Sequence, residues 1–168
     1  VYYRLYNSFL MSNIQCLHDL CVANNVCIAT AESCTAGLLS VKITSIAGAS
    51  SFFKGGVIAY QNNIKINTLG VPQLVVKEKT EVCSDVVESM AKGVRKKFAV
   101  DFSIATTGYA GPTGGTKLNP IGTVFIAISS KKKTVSKRFF FKGHRKSVIN
   151  QAIVYGLNFL IEEIKNYR

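Results

Sequence analysis

Long apolar runs are absent from this sequence, and acidic residues are few. No run approaches the ~18 residues that a membrane-spanning helix needs. The first residues lack the basic region, apolar run and small-residue cleavage site of a signal peptide. Charged residues make up 18% of the 168 positions and hydrophobic residues 48%. This balance excludes a disordered chain and predicts one folded domain with a sizeable core.

The cysteines follow no disulfide or metal pattern. They are Cys16, Cys21, Cys27, Cys34 and Cys83. Their number is odd, no pair has CxxC spacing, and His18 and His144 are not close to a cysteine cluster. The sequence therefore predicts no metal site and no cofactor. The thiols are expected to be reduced, as in a cytoplasmic protein.

The shortage of acidic residues leaves a formal net charge of +12, from 21 basic and 9 acidic residues. A charge of this size permits a nucleic acid, an acidic membrane surface or an anionic small molecule as the partner. The basic residues are scattered over several predicted elements, and no nucleic-acid-binding motif accompanies them. We therefore predict solvated lysines, with no specific nucleic acid and no membrane as partners.

Helical and strand patterns alternate along the chain. Helices are predicted from Ser12, from Leu38, after Asn62, after Ser84 and from Lys146. Strands are predicted at residues 26–30, 55–61, 100–107, 123–130 and 134–142. The alternation predicts an α/β fold, a three-layer α/β/α sandwich, and the final hairpin makes its sheet mixed. One domain over residues 1–168 is expected, with residues 1–11 outside the regular elements.

Turn and cap residues predict where several helices begin and end. Ser12 and Gln15 fit a capping box at the start of the first helix. Gly48 is expected to end the second helix, because only glycine enters the left-handed conformation cheaply. Ser84-Asp85 is the expected cap of a strongly amphipathic helix.

Hydroxyl groups concentrate in the stretch from residue 29 to residue 60. A loop of small polar residues, 32–37, opens an apolar helix, and Ser50 and Ser51 follow its end at Gly48. Hydroxyls at a helix start and in a loop between elements are suited to hold a polar ligand. The stretch therefore predicts the binding site, for which the other elements are scaffold.

The longest irregular segment covers residues 108–122 and contains five glycines and two prolines. It is not a Walker loop, because no Gly-Lys-Ser/Thr follows it, and it does not open a helix as a Rossmann fingerprint does. Two interpretations remain. The segment is a plain surface loop, or its glycines let backbone amides approach a ligand beyond the end of a central strand.

No characteristic sequence spacing links a histidine to a serine or a cysteine, so a Ser-His-Asp triad is not predicted. A serine–lysine pair needs only one lysine that is neutral near pH 7. If Asn62 caps a helix, Lys65 lies in its first turn, where the helix dipole lowers the pKa of an ammonium group. Arg145 lies before the last helix and suits an anion. The alternative for both residues is an ordinary solvated cation.

Five short segments carry a family pattern. They are residues 30–37, 46–51, 57–60, 108–115 and 120–124, to which Asn62, Lys65 and Gly70-Val71 are added. With its AESCT and AGPxGG motifs in order, residues 12–165 resemble the CinA C-terminal domain family, whose members are nicotinamide-nucleotide amidases. The resemblance implies hydrolysis of nicotinamide mononucleotide to nicotinate mononucleotide and ammonia, a step of NAD salvage. The expected partners are a small nucleotide substrate and further copies of the chain in a homo-oligomer.

The resemblance also implies roles for individual residues. Ser50 matches the family nucleophile, Lys65 its general base and Tyr60 a tyrosine beside them. The substrate-binding positions that it implies are Glu32, Ser33, Thr107, Gly111, Gly114 and Arg145, with Arg145 on the phosphate. The sequence departs from the family pattern at Ala36, where a glycine is usual, and at Cys83, where a serine is frequent. Two alternatives stay open, a non-catalytic binding module and an amidase of a related small substrate.

Overall fold

The computed structural model describes residues 2–167, and their side chains from residue 12 onward. Its helices are α1 (Tyr2–Ala23), α2 (Leu38–Ile43), α3 (Asn62–Leu69), α4 (Gln73–Lys79), α5 (Ser84–Phe98) and α6 (Arg145–Lys165). Its strands are β1 (Ile28–Glu32), β2 (Phe53–Ile58), β3 (Phe102–Gly108), β4 (Thr123–Ser129) and β5 (Thr134–Phe140). Among the described residues no helix is long and apolar enough to cross a membrane.

The five strands form one mixed sheet in the order β2-β1-β3-β4-β5. The central strand β1 runs parallel to both neighbours, and its last residue, Glu32, is level with Ile58 of β2 and Thr106 of β3. Strands β4 and β5 continue the sheet in antiparallel pairs. The carboxyl ends of β1, β2 and β3 therefore meet at one edge, where open α/β sheets usually bind ligands.

Successive side chains of a strand point to opposite faces of the sheet. In this sheet the side chains on one face are larger than those on the other. Large apolar residues such as Ile104 and Ile126 pack in one core with α1, α2 and α6. Small residues such as Ala31 and Ala105 form the other core with α3 and α5. The predicted three-layer α/β/α sandwich with a mixed sheet is confirmed.

The first helix differs from the prediction. It begins at Tyr2, so the backbone of residues 2–11 is helical rather than irregular. Ser12 is consequently inside the helix and caps nothing, and the expected capping box is wrong. The side chain of Gln15 instead donates a hydrogen bond to Asp19 Oδ1, one turn onward, at 2.8 Å.

Two other predicted helix ends are displaced. Helix α2 stops at Ile43, and Gly48, at φ 84°, precedes a separate 3₁₀ turn formed by Ala49–Ser51. The cap of α5 is Cys83 and not Ser84-Asp85, because Ser84 already has helical geometry. Both differences reflect backbone hydrogen bonding, which fixes helix ends more finely than residue type does.

Candidate active site

A polar cavity of about 360 Å³ lies at the carboxyl ends of β1, β2 and β3. We call it the inner cavity. Its walls come from the turn after β1, the start of α3, the segment before α5, the end of β3 with the residues after it, and the start of α6. The side chains that characterise it are Ser33, Cys34, Tyr60, Lys65, Glu81, Thr107 and Arg145.

The turn after β1 is organised by Glu32, which is only 1% exposed. Its Oε2 atom accepts hydrogen bonds from the Thr35 hydroxyl at 2.6 Å and from the backbone N–H groups of Gly37 and Leu39 at 2.9 and 3.0 Å. Its Oε1 atom accepts from the N–H and hydroxyl of Ser40 at 2.8 and 2.6 Å. Glu32 therefore holds the amino end of α2, and its predicted substrate-binding role is wrong because both oxygens are occupied.

Ser33 follows directly and is held at the cavity wall, where its N–H donates to the Thr106 carbonyl at 3.0 Å. The turn beyond it needs two left-handed residues, Ala36 at φ 51° and Gly37 at φ 93°. Glycine adopts this conformation without cost, whereas an alanine is strained there. The departure at Ala36 thus strains the turn that presents Ser33.

Cys34 also lines the inner cavity, but its chemistry is unfavourable. Burial raises the pKa of its thiol to about 12. The thiol is therefore protonated at neutral pH, and a protonated thiol is a weak nucleophile. Ser33 and Cys34 are thus adjacent on the cavity wall, and the thiol is not activated as a nucleophile.

Lys65 is the buried basic residue of the inner cavity and is only 1% exposed. Its Nζ atom donates a hydrogen bond to Asn62 Oδ1 at 3.1 Å. Burial lowers the pKa of Lys65, and the nearby Glu81 carboxylate opposes this shift without cancelling it. The predicted direction is correct, but the main cause is burial. The cap of α3 is Gln61 rather than Asn62, and Asn62 instead positions the ammonium.

Glu81 is an acidic residue of this cavity that sequence reasoning missed. Its Oε1 atom accepts a hydrogen bond from the Tyr109 hydroxyl at 3.1 Å, and its backbone carbonyl accepts from the Thr107 hydroxyl at 2.9 Å. Thr107 is therefore in the cavity wall, as predicted, with its hydroxyl engaged by Glu81. The only signal in the sequence was an acidic residue shortly before a helix start.

Arg145 and Tyr60 close one side of the inner cavity together. The Nη2 atom of Arg145 donates to the Tyr60 hydroxyl at 3.0 Å, and its Nη1 atom donates to the Gly111 carbonyl at 3.0 Å. The expected partner of Tyr60 was Lys65, whereas the structure pairs Tyr60 with Arg145. Gly111 takes part through its backbone, and Gly114 lines no part of this cavity.

The structure separates Ser50 from Lys65. Ser50 is exposed and lies in the 3₁₀ turn directly before β2, whereas α3 with Lys65 follows the other end of β2. The strand between them has 6 residues, which span roughly 20 Å at ~3.3 Å per residue. The expected pairing of Ser50 with Lys65 is therefore wrong within one chain, and Ser33 is the serine that shares the cavity with Lys65.

Strand direction is the signal that distinguishes the two serines. Strands β1 and β2 are parallel, and α2 connects the end of one to the start of the other. A loop after β1 and a loop before β2 must then lie at opposite edges of the sheet.

Within residues 2–167 no group of three histidine, cysteine or acidic side chains is arranged to bind a metal.

The fold and the cavity define a three-layer α/β protein with a buried lysine and a serine at the carboxyl edge of its parallel strands. The protein-family model of the CinA C-terminal domain matches residues 12–164 of the sequence. The chain belongs to the CinA C-terminal domain family.

Several curated proteins and solved structures are similar to this chain. A CinA-like protein of Flavobacterium psychrophilum is 41% identical over 152 residues, which are 90% of this chain and 36% of that protein. A putative competence-damage inducible protein of Clostridium botulinum is 38% identical over 162 residues, or 96% of this chain and 40% of that protein. The chain thus spans between about a third and two fifths of the length of these relatives.

The structural likeness extends over nearly the whole chain. The crystal structure of the competence damage-inducible protein A from Klebsiella pneumoniae superposes with a TM-score of 0.91 at 30% identity. It covers 95% of this chain and 99% of that one. A competence/damage inducible protein of Agrobacterium tumefaciens gives a TM-score of 0.90 at 26% identity, over 94% of this chain and 96% of that one.

Proposed function

We propose that this chain is an amidase that hydrolyses nicotinamide mononucleotide to nicotinate mononucleotide and ammonia. The observation that carries the proposal is Lys65, a buried lysine with a lowered pKa in a cavity that Ser33 also lines. A neutral amine beside a hydroxyl supplies the base and the nucleophile of amide hydrolysis. Family membership supports the same reaction, and the nicotinamide nucleotide is the substrate that the sequence resemblance implies.

In the proposed mechanism the Ser33 hydroxyl attacks the carboxamide carbon while neutral Lys65 accepts its proton. The tetrahedral oxyanion is stabilised by the backbone N–H groups of Cys34 and Thr35, which directly follow Ser33 and do not donate to Glu32. Lys65 then returns the proton to the departing nitrogen, ammonia leaves, and an ester to Ser33 remains. A water molecule hydrolyses this ester with Lys65 again as the base, which releases the carboxylate and restores the serine. Asn62 keeps the lysine amine directed during these steps.

The experiment that tests the proposal measures ammonia release from nicotinamide mononucleotide, from free nicotinamide and from the dinucleotide. We expect release from the mononucleotide, with a much lower kcat/KM for free nicotinamide because binding energy from the remote phosphate is lost. The activity should persist in the presence of a chelator. If ammonia comes only from a different carboxamide, the substrate assignment is wrong. If no carboxamide is hydrolysed, the amidase proposal itself is wrong.

A further inference from the structure

A second, larger cavity adjoins the inner one and has no role in the chemistry above. We call it the outer cavity. It measures about 830 Å³ and shares Ala110 and Arg145 with the inner cavity. Its wall is apolar at Leu38, Ile121 and Ile149. The two cavities together form one cleft, which Arg145 divides.

The charged side chains of the outer cavity all have one sign. They are Lys42, Arg145 and Lys146, and no carboxylate lies among the described residues that line the cavity. Lys42 comes from the last turn of α2 and Lys146 from the first turn of α6. Among residues 2–167 neither lysine forms an ion pair with a carboxylate, so an anion is the complement that this wall lacks.

The position of Lys146 strengthens this argument. A cation in the first turn of a helix is disfavoured by the helix dipole. Helix α6 has 21 residues, and its cap residue, His144, makes no capping hydrogen bond through its side chain. An anion bound here would compensate both the dipole and the lysine charge.

Arg145 fixes how a ligand would lie across the two cavities. Two of its nitrogen atoms are tied to Tyr60 and Gly111, which holds the guanidinium at the boundary. A guanidinium has about five N–H donors, so it retains others for a ligand. The reacting amide must reach Ser33 and Lys65 in the inner cavity, so the anionic end of the same ligand extends past Arg145.

We propose that the outer cavity is the phosphate subsite of the substrate, in which Lys42 and Lys146 bind the phosphate together with the remaining donors of Arg145. The proposal rests on the proposed function and deepens it. It assigns the nucleotide selectivity to two lysines outside the inner cavity. The apolar wall at Leu38 and Ile149 then packs against the sugar that joins the phosphate to the ring.

The test uses a ligand that has the phosphate and sugar but no amide. Calorimetric titration compares ribose 5-phosphate with ribose on the wild-type chain and on the variants Lys42→Gln and Lys146→Gln. Lys165→Gln is the matched control, because this exposed lysine lies at the far end of α6. A charge-assisted hydrogen bond is worth ~1.5–3 kcal/mol, so each cavity variant should bind ribose 5-phosphate about tenfold or more weakly. The control variant should bind it as the wild type does.

The outcomes separate this inference from the reaction. If the wild-type chain binds ribose 5-phosphate no better than ribose, or if both cavity variants bind it normally, the phosphate subsite is wrong. If binding depends on both lysines but no ammonia is released from the mononucleotide, the subsite stands and the amidase proposal fails. Where the reaction occurs, both variants should raise KM for nicotinamide mononucleotide and leave KM for nicotinamide riboside unchanged.

Discussion

At the scale of single residues, Lys65 is the position where stability and chemistry oppose each other. A lysine that is 1% exposed loses its hydration, and one hydrogen bond to Asn62 replaces it only in part. The loss of hydration disfavours the charged form relative to that of an exposed lysine, which lowers the pKa of Lys65. A core position would normally hold an apolar residue, so a buried lysine with a lowered pKa is typical of a functional site.

The pH dependence of activity tests this role of Lys65. We expect kcat/KM to rise with pH through a group that titrates below the ~10.4 of a free lysine, because the amine must lose its proton to act as a base. Lys65→Met should lower kcat by ~10²–10⁴-fold, the usual contribution of a general base.

Stability measurements supply the control for this variant. The unfolded chain binds the Lys65 proton more tightly than the folded chain does, so folding gains stability as pH rises from the folded pKa to the unfolded pKa. Lys65→Met removes that proton linkage. Its free energy of unfolding at pH 7 should be no lower than that of the wild type, and a clear loss would mean that the lysine supports the fold.

Cys83 is a second residue whose side chain should lower a measurable quantity, the folding stability of the chain. It caps α5 without a side-chain hydrogen bond to the helix, and its thiol instead contacts the Thr80 carbonyl at 3.6 Å. Serine at a cap position accepts a hydrogen bond from an amide of the first turn, which is worth ~1 kcal/mol. Cys83→Ser should raise Tm by ~2–4 °C in thermal unfolding. Cys83→Ala is the control, and an equal rise in that variant would show that capping is not the cause.

At the scale of elements, the unit formed by β1, its turn and α2 depends on one carboxylate. The 5 hydrogen bonds that Glu32 accepts join the end of β1 to the start of α2. They also fix the turn that carries Ser33 at the cavity wall. The position of Ser33 is therefore determined by a buried residue that makes no contact with the substrate in our account.

A conservative change at Glu32 should be costly for this reason. Glu32→Gln keeps the shape but replaces one acceptor oxygen by an NH₂ group that faces existing donors. Each buried donor that loses its partner costs ~1–3 kcal/mol, so urea unfolding should show a loss of at least ~2 kcal/mol. Glu78→Gln, at an exposed carboxylate in α4, is the matched control and should unfold as the wild type does. Equal midpoints for the two variants would contradict the structural role of Glu32.

At the scale of the whole molecule, the fold is more predictable from the sequence than the site is. Periodicity reports which face of each element is buried, and it predicts the five strands and three layers. It does not report tertiary capping, in which the Glu32 carboxylate at the end of β1 accepts hydrogen bonds from the N–H groups of Leu39 and Ser40 in α2. Nor does it report that α1 continues to Tyr2.

The site was predicted only in part. Its residues are distant in sequence, and the pattern of the sequence does not show which of them meet. Lys65, Thr107 and Arg145 are brought together as expected. Ser50 is not, because the connection through α2 carries the chain to the opposite edge of the sheet before Ser50 occurs. Glu81 gave no pattern at all, since it meets Lys65 only through packing of the segment before α5 against the ends of the strands.

The basic residues of the chain differ in whether they have acidic partners. In the hairpin between β4 and β5, Lys131 pairs with Asp101 at 3.3 Å and Lys133 with Glu163 at 2.7 Å. These lysines lie against acidic residues of the chain itself. The outer cavity, in contrast, gathers cations from α2 and α6 without a carboxylate on its wall, which makes it the stronger candidate for an anionic ligand.

The most direct test of the account compares alanine variants of the two serines in the release of ammonia from nicotinamide mononucleotide. Ser33→Ala should lower kcat by at least ~10³-fold, and adding Lys65→Ala should lower it little further, because the two residues act as one unit. Ser50→Ala, at the opposite edge of the sheet, should keep near-normal kcat. Normal activity in Ser33→Ala together with its loss in Ser50→Ala would contradict the assignment of the inner cavity as the active site.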